Sequence, residues 1–245
     1  MRFGLELIVW PGVVGAQPQP SPLVVMGSAV VALLLVCVRS LWGVARNVVT
    51  IAHEGGHGLT AVLVGRRLYG IRLHSDTSGV AISRGKPTGP GMVWTTALGY
   101  PAPSLIGLGF AGLLAAGRIS LMLWITVGLL ACVLMVVRNG YGVLAVLVTC
   151  LTLGAVTVFA PPAVRGASAY LLTWFLLFGA IRPVGELQRK RYQGQARNSD
   201  ADQLAALTGL PALLWVLIFG LIGIVCLALA GTLLLPLPPG SWHLG

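Results

Sequence analysis

Acidic residues are nearly missing from this sequence. Six Asp and Glu stand against 16 Lys and Arg, and charged residues fill only 9% of the 245 positions. Soluble domains carry about 25% charged residues, and none of this length can hide a 56% apolar content, so a soluble globular fold is excluded. Cysteine is also scarce. Cys37, Cys132, Cys150 and Cys226 each stand alone in an apolar run, which excludes a CxxC metal knuckle and a disulfide framework and leaves them as small core hydrophobes. The basic excess would suggest nucleic acid in a soluble chain. No nucleic-acid motif accompanies it, and in an apolar chain it reflects loop residues that set membrane topology.

What fills the chain is a series of long apolar runs, and the fold class they predict is an all-α polytopic membrane protein. Pro22–Val38 is the first span candidate, followed by a motif-bearing helix, then Trp94–Gly117, Ile119–Val137, Tyr141–Ala163, Ser168–Ile181 and Leu210–Leu235. That gives six or seven transmembrane helices in a single domain, residues 1–245. Its parts are an N-terminal segment (1–21), first span and motif helix (22–65), hairpin loop (68–83), central spans (94–181), polar cytoplasmic loop (182–209) and last span (210–235). Ser168–Ile181 is short against the ~20 residues a span needs. Met1–Pro20 carries Arg2, but Glu6 and Pro11 interrupt its apolar stretch, which favours an uncleaved lead-in over a signal peptide. Seven spans with the N-terminus inside leave twelve basic residues in the cytoplasm and four outside, namely Arg39, Arg46, Arg118 and Arg165. The positive-inside rule then puts the N-terminus in the cytoplasm and the C-terminus outside. Arg outnumbers Lys 14 to two amid abundant Ala, Gly, Val and Leu, which suggests a high-GC bacterial source and a plasma-membrane address.

Inside the low-charge stretch Asn47–Gly65 lies His53-Glu54-Gly55-Gly56-His57. On a helix, residues four apart share a face, so the two imidazoles can grip one zinc ion. Glu54 beside them is placed to take a proton from water activated by that ion, the arrangement of HExxH metalloproteases. From four His and three Glu, chance produces this pattern on the order of once in a thousand such chains. Ionisable groups within a bilayer are also expensive unless compensated, and a bound cation compensates them.

Two segments outside the spans bear on this site. Leu68–Ser83 alternates apolar and polar residues around Asp76-Thr77-Ser78-Gly79, which predicts a small β-hairpin after the HEGGH helix. Its free edge could hold an extended substrate peptide by main-chain hydrogen bonds. His74 and Asp76 in the turn read as solvated. Gly185–Leu207 is the most polar segment, and Ser199 with Asp202 has the spacing of a helix N-cap. A catalytic zinc takes a third protein ligand. Outside the motif the acids are Glu6, Asp76, Glu186, Asp200 and Asp202, and Glu186 reads as a solvated partner of Arg182 and Arg189. Asp200 and Asp202 are therefore the candidates, with either able to serve.

These features together resemble the M50B-like bacterial branch of the site-2 protease family. The resemblance runs through His53–Gly58, Gly65-Arg66-Arg67, Ser78-Gly79, Gly99-Tyr100, Arg138–Gly142 and Ser199–Ala205 before Pro211 and Trp215. It implies an intramembrane zinc metallopeptidase with His53 and His57 as ligands and Glu54 as general base. The implied substrate is a peptide bond in or near a transmembrane segment of a membrane protein. Well-studied relatives supply an Asp ligand near the position of Asn139, where this chain reads Asn139-Gly140-Tyr141-Gly142. Either the ligand has moved to Asp200 or Asp202, or the site is incomplete. Asn139 can act as a donor that stabilises the oxyanion, or simply mark a helix-breaking turn. Two other classes remain: an inactive zinc-binding scaffold, suggested by the missing acid, and a transporter, against which the absence of a repeated His53 segment counts.

Overall fold

The structure is a computed structural model that describes residues 14–195 and 199–235. The lead-in with Arg2, Glu6 and Pro11, and also Arg197 and Asn198, lie outside the described residues. Helices α1 (Pro22–Cys37) and α2 (Arg39–Leu63) meet at Val38, whose extended backbone breaks the run and bends it by 102°. After α2, Gly65 takes a positive φ of 78° and turns the chain into a hairpin, β1 (Arg67–Leu73) and β2 (Gly79–Arg84). Then follow α3 (Pro90–Ala97) and α4 (Ala102–Ala115), α5 (Ile119–Val136), α6 (Gly140–Phe159), α7 (Pro162–Tyr192), α8 (Asp200–Thr208) and α9 (Ala212–Leu234). Among the described residues, four helices, α5, α6, α7 and α9, are long and apolar enough to cross a membrane, or up to six spans if the bent pairs α1–α2 and α3–α4 each count as one. The predicted all-α membrane fold with a hairpin after the motif helix is therefore observed.

Four details differ from the sequence reading. Ser168–Ile181 is the middle of a 31-residue helix, because Arg182 ends the apolar run without ending the helix, and Pro183 is accommodated inside it. The expected polar loop 182–209 is thus largely helical, first as the end of α7 and then as α8. The expected span Trp94–Gly117 is broken between Leu98 and Pro101, with a 68° bend between α3 and α4. Of the cysteines, Cys226 is buried while Cys37 and Cys132 are exposed on helix surfaces.

The bundle has two distinct ends. At one, Gln17 bonds Gly117 and Ser120 at the α4–α5 turn, and Pro20 packs on Gly166 near the start of α7. The other end gathers the close of α1, where the Val36 carbonyl accepts from Arg182, together with the hairpin, the α5–α6 turn and α8. Because α2 turns away from α1 instead of crossing alone, Val14–Ser21 and the end of α9 share the first end. The expectation of termini on opposite faces counted the motif helix as a separate crossing, whereas α1 and α2 form one bent pair, and both termini lie outside the described residues.

A large apolar cluster around Trp42, Leu114, Met122, Leu123, Tyr170 and Leu177 joins α1, α2, α4, α5 and α7. A second cluster, with Leu187, Leu204, Val216 and Phe219, seats α8 against α7 and α9. A third, with Ile51, Ile71, Leu73, Val137 and Val146, fastens the hairpin to α2, α5 and α6.

Candidate metal centre

Helix α2 carries His53, Glu54 and His57, and α8 brings Asp200 to them from far along the chain. The Nε2 atoms of His53 and His57 lie 3.1 Å apart. Asp200 Oδ2 lies 3.4 Å from the first and 3.2 Å from the second. A tetrahedral zinc shell with bonds of about 2.0–2.1 Å separates its ligand atoms by about 3.3 Å, so this triangle has the size such a shell requires. The chemistry fits as well. His57 Nδ1 is 2.7 Å from the Thr95 carbonyl, so it carries the proton and donates it there, leaving Nε2 with a free lone pair for a metal. Asp200 Oδ2 is buried without a hydrogen-bond partner. Among the described residues, this is the group of His, Cys, Asp and Glu that could hold a metal ion.

Glu54 is 4% exposed, and its Oε2 has no hydrogen-bond partner. Its carboxylate accepts from the Ala81 backbone N–H of β2. A Cβ on Gly79 would stand 2.6 Å from Glu54 Cγ, so glycine is what lets the strand pass over the carboxylate. The hairpin therefore roofs the side of α2 that bears Glu54. Its turn is held by Asp76, which accepts from Ser78 N at 2.9 Å and Ser78 Oγ at 2.6 Å, and His74 lies beside Ser78 Oγ. Both turn residues keep to the solvated role expected of them.

The other candidates are placed elsewhere. Asp202 is not in the metal group: it pairs with Arg191 of α7 and accepts from Ser199 Oγ at 2.8 Å. Ser199 in turn caps α8 through the Asp202 N–H. Asp202 thus fastens α8 to α7, two residues from Asp200. Asn139 also stays outside the group. Its amide Nδ2 donates to Leu73 O at 2.6 Å and its Oδ1 accepts from Leu73 N at 3.1 Å. With both groups bound to β1, the side chain is a clamp on the sheet edge, and the donor role toward substrate is not what this geometry gives it. Glu186 is more than a solvated partner of Arg182 and Arg189: it accepts from Trp42 Nε1 at 3.0 Å, pairs with Arg46 at 3.4 Å and Arg182 at 3.1 Å, and so braces α2 against α7.

Several contributors were not singled out by residue chemistry. Gly99 lies flat against the two imidazoles: a Cβ there would run into the His57 ring and stand 2.9 Å from His53 Cε1. Tyr100 meets the His53 ring edge-on at 4.8 Å and stacks on Phe219 at 5.1 Å. The Gly99-Tyr100 pair formed part of the resemblance, but nothing in its spacing disclosed the contact. Gly56 faces the chain entering α4, where a Cβ would be 2.7 Å from Leu98 O.

No curated protein and no solved structure gives a significant match to this sequence. The family model described as Peptidase M50B-like does match, over residues 26–230, a range that holds both imidazoles, Glu54 and Asp200. The protein belongs to the Peptidase M50B-like family.

Proposed function

We propose that the protein is a zinc-dependent intramembrane endopeptidase that hydrolyses a peptide bond in or near a transmembrane segment of a membrane-protein substrate. The observation that carries this reading is the convergence of His53 Nε2, His57 Nε2 and Asp200 Oδ2 at tetrahedral spacing beside the unpartnered Glu54 Oε2. His53, His57 and Asp200 would hold the ion. Zinc bound there supplies a Lewis acid that polarises a peptide carbonyl and acidifies water. Glu54 takes the proton of the attacking water at Oε2 and returns it to the departing amide nitrogen. Its bond from Ala81 N–H fixes the carboxylate's orientation for both steps. The approach of Asp200 on α8 to the two imidazoles supports this reading over that of an inactive scaffold, since an acid at Asn139 is then not needed.

The substrate is bound as an added strand. Ile71 and Leu73 direct their main-chain groups to the α5–α6 turn, where Arg138 N donates to Ile71 O at 2.9 Å and Asn139 covers Leu73. With that edge of β1 closed, the outer edge of β2 on either side of Ala81, whose N–H is held by Glu54, remains for an extended peptide. Among the described residues, Arg118 and Arg165 are the basic residues at the Gln17 end, and twelve others lie toward the hairpin end. The positive-inside rule turns the hairpin and the metal centre toward the cytoplasm of a bacterial plasma membrane. The test is cleavage of a transmembrane peptide by zinc-loaded protein beside Glu54→Gln. Cleavage by the first and not the second is expected; zinc without cleavage in either would make the protein a scaffold.

A further inference from the structure

On the side of α2 turned away from His53, Glu54 and His57, the bundle holds a cavity of about 420 Å³. Gly55, Gly56 and Leu59 of α2 form one wall, Leu105 of α4 another, and Leu129 and Val133 of α5 a third. No charged residue lines it. Its three threonines are turned inward on their own helices: Thr60 donates to Gly56 O at 2.7 Å, Thr126 to Met122 O at 2.9 Å and Thr149 to Ala145 O at 2.8 Å. Leu59, Leu105 and Leu129 remain 60%, 45% and 44% exposed, so the cavity opens outward beside α4 and α5.

These features restrict the occupant. Water needs two to four polar partners and finds none here. An unwound peptide would leave its amides unpaired in an apolar space. A helix of about 10 Å diameter and 5.4 Å pitch fills roughly 420 Å³ in a single turn, so the cavity holds no more than one turn of a transmembrane segment. Hydrocarbon fits. A 150 Å³ apolar cavity accepts one six-carbon benzene ring, which scales to about 17 carbons here, the size of one fatty-acyl chain.

We infer that this cavity binds one acyl chain of a bilayer phospholipid, admitted beside α4 and α5 and packed against the glycine face of the metal-bearing helix. A Cβ at Gly55 would meet only Val133 Cγ2, at 3.8 Å, so the helix leaves room for the chain there. The chain covers α2 at Gly55, on the face turned away from His53 and His57, and gives the surrounding lipid a direct contact with the helix that carries both imidazoles.

The full-length protein is loaded with palmitoyl-oleoyl phosphatidylethanolamine, passed through detergent exchange and weighed intact by native mass spectrometry. One retained phospholipid per chain is expected. Leu129→Trp with Val133→Trp places two indoles in the cavity and should lower retention by about tenfold, a loss of ~1.4 kcal/mol in binding. The same pair of changes at the exposed Leu221 and Ile224 of α9 should leave it unaltered. Zinc content and circular dichroism check that the variants fold. Independently of any variant, a phospholipid with a diazirine near its chain end should label the wild type on the segments holding Leu59, Leu105 and Val133. Absence of retained lipid, equal retention in the cavity variant, labelling confined to α9, or displacement of the lipid by a poly-leucine-alanine transmembrane peptide would each overturn the inference.

Discussion

At the scale of single residues, the centre depends on what two side chains do and on what one position lacks. Glu54 has a free oxygen beside the ligand atoms, so Glu54→Gln should keep zinc while cleavage of a transmembrane peptide falls by about 10²–10⁴-fold, the usual weight of a general base. Gly99 contributes space alone. A methyl group there meets both imidazoles, so Gly99→Ala should weaken zinc binding by roughly 10–100-fold, as other disturbances next to a metal shell do. Competition with a chelator measures this, and an unchanged affinity would show that the rings can give way. The two glycines of HEGGH differ in the same respect: Gly56 is fixed by the backbone at Leu98, while a Cβ at Gly55 would meet only Val133 Cγ2, at 3.8 Å.

At the scale of elements, α8 must be held in register for Asp200 to arrive. The Arg191–Asp202 pair provides that hold, so Arg191→Ala should lower zinc affinity about 10–100-fold with the helix content unchanged, whereas Asp200→Ala should abolish tight binding. The hairpin is held in the same way by Asn139. Removing its amide leaves Leu73 N–H and C=O unpaired, a loss of about 1–3 kcal/mol that should appear as faster amide exchange at Leu73. These elements also mark what the sequence could disclose. The HEGGH helix and the hairpin are local patterns, read from the HExxH spacing and from apolar–polar alternation around the Asp76–Gly79 turn. Choosing Asp200 over Asp202 was not possible from spacing, because both lie on one short helix and its rotation is set by Leu204 and Ala201 packing on Val216 and Phe219. Asn139 misled for a related reason: an amide in a turn carries the same chemistry whether it faces substrate or a neighbouring strand.

At the scale of the whole molecule, topology follows from how one helix lies. Apolar length suggested that α2 crosses the membrane by itself, but amphipathic α2 bends 102° from α1 and takes His53 and His57 to the hairpin end. Single cysteines at Gln19 and Lys86, in a background without the native four, should react with an impermeant maleimide from opposite sides of a sealed membrane, and labelling from one side would contradict the two-ended bundle. Long-range assembly of the centre, with His53 and His57 from α2 and Asp200 from α8, is the claim on which all the chemistry rests. Zinc bound per chain, measured on the intact protein after zinc supplementation and removal of the excess, tests it most directly. The account predicts one ion per wild-type chain and none in Asp200→Ala; a wild type without metal, or a variant that retains it in full, would contradict it.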